Sequence, residues 1–486
     1  MLQSSVFSGL QPAAVWSHFS RLCAIPRPSK GEAALRDALL AWAQAQGLAA
    51  EVDAAGNLII RKPASPGREQ AAGVVLQAHL DMVCQKNAAS SHDFSRDAIV
   101  PALKDGWLVA EETTLGADNG IGAALILAVL EDKQLVHGPL EALFTVDEEA
   151  GMGGARGLAG GLLQGRLMLN LDTEDWSEFY LGCAGGLDVD VRRHSDGEPC
   201  PVGASMVQID LRGLRGGHSG VNIHEERGNA NKLLVRVLQE IAAHLPFRLA
   251  RLQGGTARNA IAREALAQIA ILPDQLEHLA TRLPEIETQL RRELAGVDDG
   301  LSLSWAAIEP QPVLPLAEQK VWLASLHAAP YGVHRMSQQV PGVVESSNNL
   351  GIVEISAEGG SCNFMVRSLI DRAGIALAEE IVSLFSLSGS ETVTSGFYPG
   401  WTPNPASPLL ALCQRVFSRD FGGESKVKVV HAGLECGLIG EKYPGLDIVS
   451  FGPNIRGAHA PGERVEVASV ENCWKLLASI LTEIAK

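Results

Sequence analysis

Aromatic residues make up only 5% of this 486-residue chain, and cysteine pairs, basic clusters and long apolar runs are equally scarce. The eight cysteines, Cys23, Cys84, Cys183, Cys200, Cys362, Cys413, Cys436 and Cys473, form no C-x-x-C pair and no tight framework. A disulfide scaffold is therefore excluded, and reduced, cytoplasmic usage is expected. The opening stretch MLQSSVFSGLQPAAVWSHFSRL has no basic segment followed by an apolar core and a small-residue cleavage site, so no export signal is expected. GIGAALILAVL, the longest apolar stretch, falls short of the roughly 18 residues that suggest a membrane span and reads as a buried helix. A net charge of −16 argues against the clustered basic face of a nucleic-acid binder and against docking on an anionic membrane. Small molecules are the expected partners. G-x-S-x-G is absent, and Gly151-Met152-Gly153-Gly154 matches no nucleotide-binding loop, which removes the serine-elbow and P-loop chemistries.

What is present is an ordinary globular composition, 46% hydrophobic and 20% charged, in a chain long enough for two domains. Helical periodicity runs from about 12 to 48, and AEVDAAGNLIIRKP reads as a hairpin turning at Ala55-Gly56-Asn57. From Gly73 to Asp172 apolar strands alternate with helices, the pattern of a mostly parallel sheet with crossover helices. After LGCAGG the pattern changes to strands such as SMVQIDLRGL followed by the helix ANKLLVRVLQEIAAHL. The same order recurs in GIVEISAEGG, SCNFMVRSLI and GIALAEEIVSLFSLS, so residues 186–396 read as an inserted α+β domain, with two related β-then-α units as a possible internal repeat. GFYPGWTPNPASPLL closes that insertion, and residues 1–185 and 397–486 are expected to form one discontinuous α/β domain.

The chemistry-bearing residues are His79-x-Asp81, Asp118, Glu148-Glu149, Asp172 and His459. Three of them close apolar runs that read as buried strands, VVLQAHLD, LEALFTVDEEAG and RLMLNLDTED, and open α/β sheets bind ligands beyond the carboxyl ends of their strands. Positions i and i+2 of a strand share a face, so Asp81 is expected to accept a hydrogen bond from His79 and fix its tautomer. Each residue also has a plainer reading: His79 as a core histidine, Asp118 as a helix N-cap, the glutamate pair as a solvated turn, Asp172 as a strand-end acid, His459 as an exposed loop residue. Together, two histidines and four carboxylates beyond Asp81 suit two metal sites, with Asp118 a natural bridge between ions about 3.5–4 Å apart and one glutamate free to act as a base.

The motifs LQAHLDMV, TTLGADNGIG, FTVDEEAGMGGA, LNLDTED, GLRGGHSG, GTARNAIA, HAGLECG and GAHAPGERV span nearly the whole chain. In combination they resemble the cocatalytic zinc peptidases of the aminoacylase, carnosinase and carboxypeptidase G superfamily, its bacterial dipeptidases above all. The resemblance implies an α/β zinc-peptidase catalytic domain with an inserted α+β lid. It implies that His79, Asp118 and Asp172 hold one metal and Asp118, Glu149 and His459 the other, with Glu148 as general base and Asp81 as partner of His79. It gives His218 the scissile carbonyl, and Asn259, Arg367 and the backbone at Gly433 the substrate's terminal carboxylate. It further implies two Zn²⁺ per subunit, replaceable by Mn²⁺ or Co²⁺, a cytoplasmic homodimer, and hydrolysis of dipeptides with a free amino terminus, Xaa-His and β-alanyl-histidine among them. An aminoacylase or tripeptidase on the same scaffold is the alternative enzyme. A non-catalytic metal- or peptide-binding protein is the alternative class, although a carrier has no need of a base such as Glu148.

Overall fold

The computed structural model describes residues 6–486, which divide into two compact units. The first comprises 6–182, 403–429 and 434–486 of the described residues, and the second 183–402 with the short return 430–433. The junctions at Gly182–Cys183 and Thr402–Pro403 lie beside the 186 and 397 expected from the sequence, and the return at 430–433 has no counterpart in that expectation.

In the first unit an eight-stranded sheet runs in the order Ala49–Val52, Leu58–Lys62, Leu140–Thr145, Val74–His79, Leu167–Asn170, Asp447–Ser450, Glu178–Cys183, Lys426–Val430. Val74–His79 is parallel to both of its neighbours, and Asp447–Ser450 is parallel to Leu167–Asn170. The hairpin Ala49–Val52/Leu58–Lys62 adds antiparallel strands at one margin, and Glu178–Cys183 pairs antiparallel at the other. The sheet is thus mixed, with the parallel character confined to its centre. That centre is where strands buried on both faces are needed, and VVLQAH and LEALFT are buried at every position.

Ala117–Glu131 is apolar all round and accordingly buried, packed between Val74–His79 and the helix Ala13–Ala24. It forms the crossover from Val74–His79 to Leu140–Thr145, so its first turn rises beside the carboxyl ends of the parallel strands. No described helix is long and apolar enough to cross a membrane.

The second unit is built on a nine-stranded sheet. Its main order is Ser302–Ile308, Ser205–Arg212, Ala265–Ile271, Arg248–Gly254, Val344–Ser356, Gly359–Ser368, Gly185–His194, Glu391–Tyr398, and Gly332–Met336 adds to Val344–Ser356. Every pairing within it is antiparallel. The two β-then-α runs seen in the sequence are halves of this single sheet. One apolar core joins Leu211, Leu238 and Leu283 from the first run to Phe364, Ile381 and Phe385 from the second.

Candidate active site

Three adjacent parallel strands deliver their chemistry at the same end. His79 is the last residue of its strand, Glu148 and Glu149 follow Thr145 by a short turn, and Asp172 follows Asn170. Asp118 sits at the start of the crossover helix with non-helical angles (φ −80°, ψ 113°), so its side chain leaves the turn rather than capping the helix. His459 arrives on a loop from the far end of the chain, in the left-handed region at φ 64°.

These residues converge. His79 Nε2 lies 3.1 Å from Asp118 Oδ1 and 3.5 Å from Asp172 Oδ1. His459 Nε2 lies 3.3 Å from Asp118 Oδ2 and 3.1 Å from Glu149 Oε1. The two oxygens of Asp118 therefore face two different histidines. Around this carboxylate, His79, Asp118 and Asp172 form one cluster and Asp118, Glu149 and His459 another, each with one ligand atom per residue within 4.8 Å of the rest. A third grouping, His79 with Glu148 and Glu149, meets the same measure, so proximity alone does not separate the roles of the two glutamates.

A family model for peptidases, Peptidase family M20/M25/M40, matches residues 75–483. The chain belongs to this family. It is accordingly a peptidase, a hydrolase, and the family is metal-dependent. The chain is 44% identical over 481 residues to the cytosol non-specific dipeptidase of Escherichia coli K12, covering 99% of each protein. A solved structure of aminoacylhistidine dipeptidase from Vibrio alginolyticus superposes with a TM-score of 0.91 at 42% identity, covering 98% of each chain. A tripeptidase from Staphylococcus aureus shares the fold at a TM-score of 0.57 and 16% identity.

The donor set fits the metal dependence of the M20 family. Imidazole nitrogens and carboxylate oxygens in two clusters sharing one carboxylate suit divalent ions of borderline character. The charges of these two clusters act strongly on one another. Burial opposes protonation of His79, yet Asp172, Asp118 and Asp81 raise its pKa well above the ordinary value. Hydrogen bonds to Asp118 and Glu149 push His459 up to about 11 against its burial. Burial, joined by the charge of Asp118 and Glu149, lifts Asp172 to about 6, and burial raises Glu148 well above the carboxylate range.

Asp81 differs from the expected geometry. The strand stops at His79, so the i, i+2 relation is lost, and the imidazole Nδ1 is 3.4 Å from the Asp81 carboxylate and 3.2 Å from the Asp81 carbonyl oxygen. The carboxylate chiefly accepts the backbone N–H groups of Glu148 and Glu149, both at 3.0 Å, and the Ser29 hydroxyl at 2.7 Å. Burial works to raise its pKa, but the bonds from His79, Ser29 and Glu148 prevail and hold it at about 2.

His218, Asn259, Arg367 and Gly433 belong to the second unit. Arg367 is 3% exposed and has no ion-pair partner among the described residues. Its neighbours are the Tyr398 hydroxyl at 2.8 Å, His218 Nε2 at 3.3 Å, Ser219 Oγ at 3.4 Å and the Met365 sulfur. His218 Nδ1 accepts the Gly220 and Val221 N–H groups at 3.2 and 3.0 Å, while its Nε2 faces the Arg367 guanidinium at 3.3 Å. Burial and the Arg367 charge depress His218 to about 4, so the ring is neutral at physiological pH. Asn259 is exposed, and its carbonyl accepts from Ser219 N–H at 2.8 Å.

Sequence reasoning did not single out Ser29, Arg27 or Glu463. Arg27 and Glu463 act on backbone groups beside functional residues, and Ser29 donates to the Asp81 carboxylate, tasks that leave no spacing pattern. The position of Glu463 within GAHAPGERV was the available signal.

Proposed function

We propose that the protein is a two-metal dipeptidase that hydrolyses dipeptides with a free amino terminus, Xaa-His and β-alanyl-histidine included. The observation that carries this reading is Asp118, whose two oxygens face His79 and His459 at 3.1 and 3.3 Å. The residues that would hold the ions are His79, Asp118 and Asp172 for one and Asp118, Glu149 and His459 for the other, with Zn²⁺ as the natural occupant and Mn²⁺ or Co²⁺ as substitutes. When bound, such ions supply Lewis-acid polarisation of the peptide carbonyl and lower the pKa of water.

Glu148 is then the group that takes a proton from the attacking water and returns it to the leaving amine. Its raised affinity for protons, a consequence of burial, suits that shuttle. His218, a neutral ring beside Arg367, is assigned to the scissile carbonyl and the oxyanion that forms there. Arg367, a buried guanidinium without a carboxylate partner, is assigned to the substrate's terminal carboxylate, which it suits as a bidentate fork. Asn259 and the Gly433 backbone complete that recognition. The likeness to a cytosol non-specific dipeptidase supports the dipeptide preference and a cytoplasmic location. A homodimer is the expected assembly.

The deciding experiment measures amine release by metal-reconstituted protein from a free dipeptide, its N-acetylated form, a tripeptide and a tetrapeptide, with a chelated sample alongside. Cleavage confined to the dipeptide and lost on chelation is the expected result. Cleavage of the acetylated compound would make the protein aminoacylase-like, preference for the tripeptide would make it a tripeptidase, and no cleavage by metal-loaded protein would leave a binding protein.

A further inference from the structure

The turn that presents Asp118 is gripped from both sides by two buried residues of opposite charge. Glu463, 2% exposed, accepts four consecutive backbone N–H groups. Its Oε2 takes Leu115 and Gly116 at 2.7 and 2.9 Å, and its Oε1 takes Ala117 and Asp118 at 2.7 and 3.2 Å. On the other side Arg27, also 2% exposed, donates to the Gly116 carbonyl at 2.6 Å. The same guanidinium donates to the carbonyls of Leu80 and Asp81 at 2.9 and 3.0 Å, directly after His79. Glu463 in turn belongs to the loop of His459, closed by the bond from its N–H to the Ala460 carbonyl at 3.2 Å.

We propose that Arg27 and Glu463 are positioning residues that set the geometry of the metal pair. They lock the segments carrying His79, Asp118 and His459 to one another through the Leu115–Asp118 backbone. The inference rests on the metal-site reading above. Its physical basis is the capacity of a carboxylate, whose two oxygens offer about four lone-pair sites. Here one side chain takes four consecutive donors of the turn that leads into the helix, Leu115 to Asp118, and the last of them belongs to the residue whose two oxygens face both histidines. Gly116 lies in the left-handed region at φ 69°, so the turn needs both its glycine and its external partners to keep this shape.

Glu463→Gln is the sharp probe, because an amide keeps one acceptor oxygen and turns an NH₂ group toward two backbone donors. Arg27→Lys keeps the charge but loses the fork that reaches three carbonyls. Chelator-stripped wild type, both variants and the double variant would be titrated with Zn²⁺ for stoichiometry and affinity. The absorption band of the Co²⁺-loaded proteins and the melting of the metal-free proteins would be recorded in parallel. The expected result is divalent-ion binding about 10- to 100-fold weaker in each single variant, as for other groups that orient metal ligands, a shifted Co²⁺ band, and a double variant that loses less than the two singles combined. Wild-type affinity and band in both single variants overturn the proposal, as does weakening that appears only where the metal-free variant has unfolded. Should E463Q not fold, Arg27→Lys decides by the same two readouts. Absence of metal uptake by the wild type would instead sink the metal-site reading itself.

Discussion

Asp81 Oδ1 accepts the backbone N–H of Glu148 at 3.0 Å, and its other oxygen accepts that of Glu149 at the same distance. The residue expected to orient a histidine thus fixes the turn that carries both glutamates, with the imidazole as a further neighbour. Asp81→Asn leaves one acceptor oxygen for these two donors and the Ser29 hydroxyl. The expected outcome is a fall in kcat of about 10- to 100-fold, the usual range for groups that orient metal-site residues, with KM changed less. Steady-state kinetics on a dipeptide at saturating metal checks this. A D81N variant with unchanged kcat would show that the turn holds its shape unaided.

Glu148 and Glu149 are neighbours in sequence to which the proposed mechanism gives separable tasks. Glu149 Oε1 meets His459 at 3.1 Å, whereas among the described residues the Glu148 carboxylate has no hydrogen bond to a histidine, although it clusters with His79 and Glu149. Replacement of Glu148 by Gln is therefore expected to cost about 10²- to 10⁴-fold in kcat, the range for general acid–base catalysis, while metal content stays near that of wild type. Replacement of Glu149 by Gln is expected to lower metal content first. Metal analysis of both proteins beside their kinetics separates the two tasks, and metal loss in E148Q would reverse the assignment.

The central strands, and with them His79, Glu149 and Asp172, were legible in the sequence because buried parallel strands are continuous apolar runs, and a polar residue closing such a run stands out. Asp118, at the start of a helix, and His459, on a loop, close no such strand and stood out only in combination with the others. Asp81 does face His79, but the strand ends at His79, and the main partners of its carboxylate, the Glu148 and Glu149 N–H groups, leave no mark in the side-chain pattern. Arg27 and Glu463 were invisible for the same reason: both bond to peptide groups, which every residue has, so no side-chain pattern marks them. The β-then-α order that recurs in the second unit belongs to two halves of one antiparallel sheet that share one apolar core.

Arg367 leads to a prediction about substrate chemistry. A buried guanidinium whose neighbours are hydroxyls, a thioether and a neutral imidazole has unused capacity for an anion. Arg367→Lys loses the planar fork and is expected to raise KM for a free dipeptide about 10- to 100-fold, corresponding to roughly 1.5–3 kcal/mol for a hydrogen bond to a charged group. The dipeptide amide, lacking the carboxylate, should be a poor substrate for wild type and nearly insensitive to R367K. Equal losses on the two substrates would place the role of Arg367 in folding rather than in recognition.

The same guanidinium shapes the acid stability of the second unit. Burial and then the Arg367 charge hold His218 at about 4 and His431 at about 3, both below the ordinary 6.5. An imidazole depressed in the folded state binds fewer protons there than in the unfolded chain, so stability rises with pH across the interval between the two values. The contribution is complete above about pH 6.5 and is lost progressively as the pH falls toward about 4 for His218 and about 3 for His431. Removing one titrating ring should flatten that slope. His431→Gln, which can still meet Ser347 where the imidazole does at 2.8 Å, is expected to be somewhat less stable than wild type at pH 7.5 but to lose less on acidification to pH 4.5. Urea midpoints of the chelator-treated proteins at both pH values decide it. Parallel losses in the two proteins would mean that the carboxylates, rather than His431, govern the acid transition, whereas a smaller loss in H431Q would trace part of it to one buried ring beside Arg367.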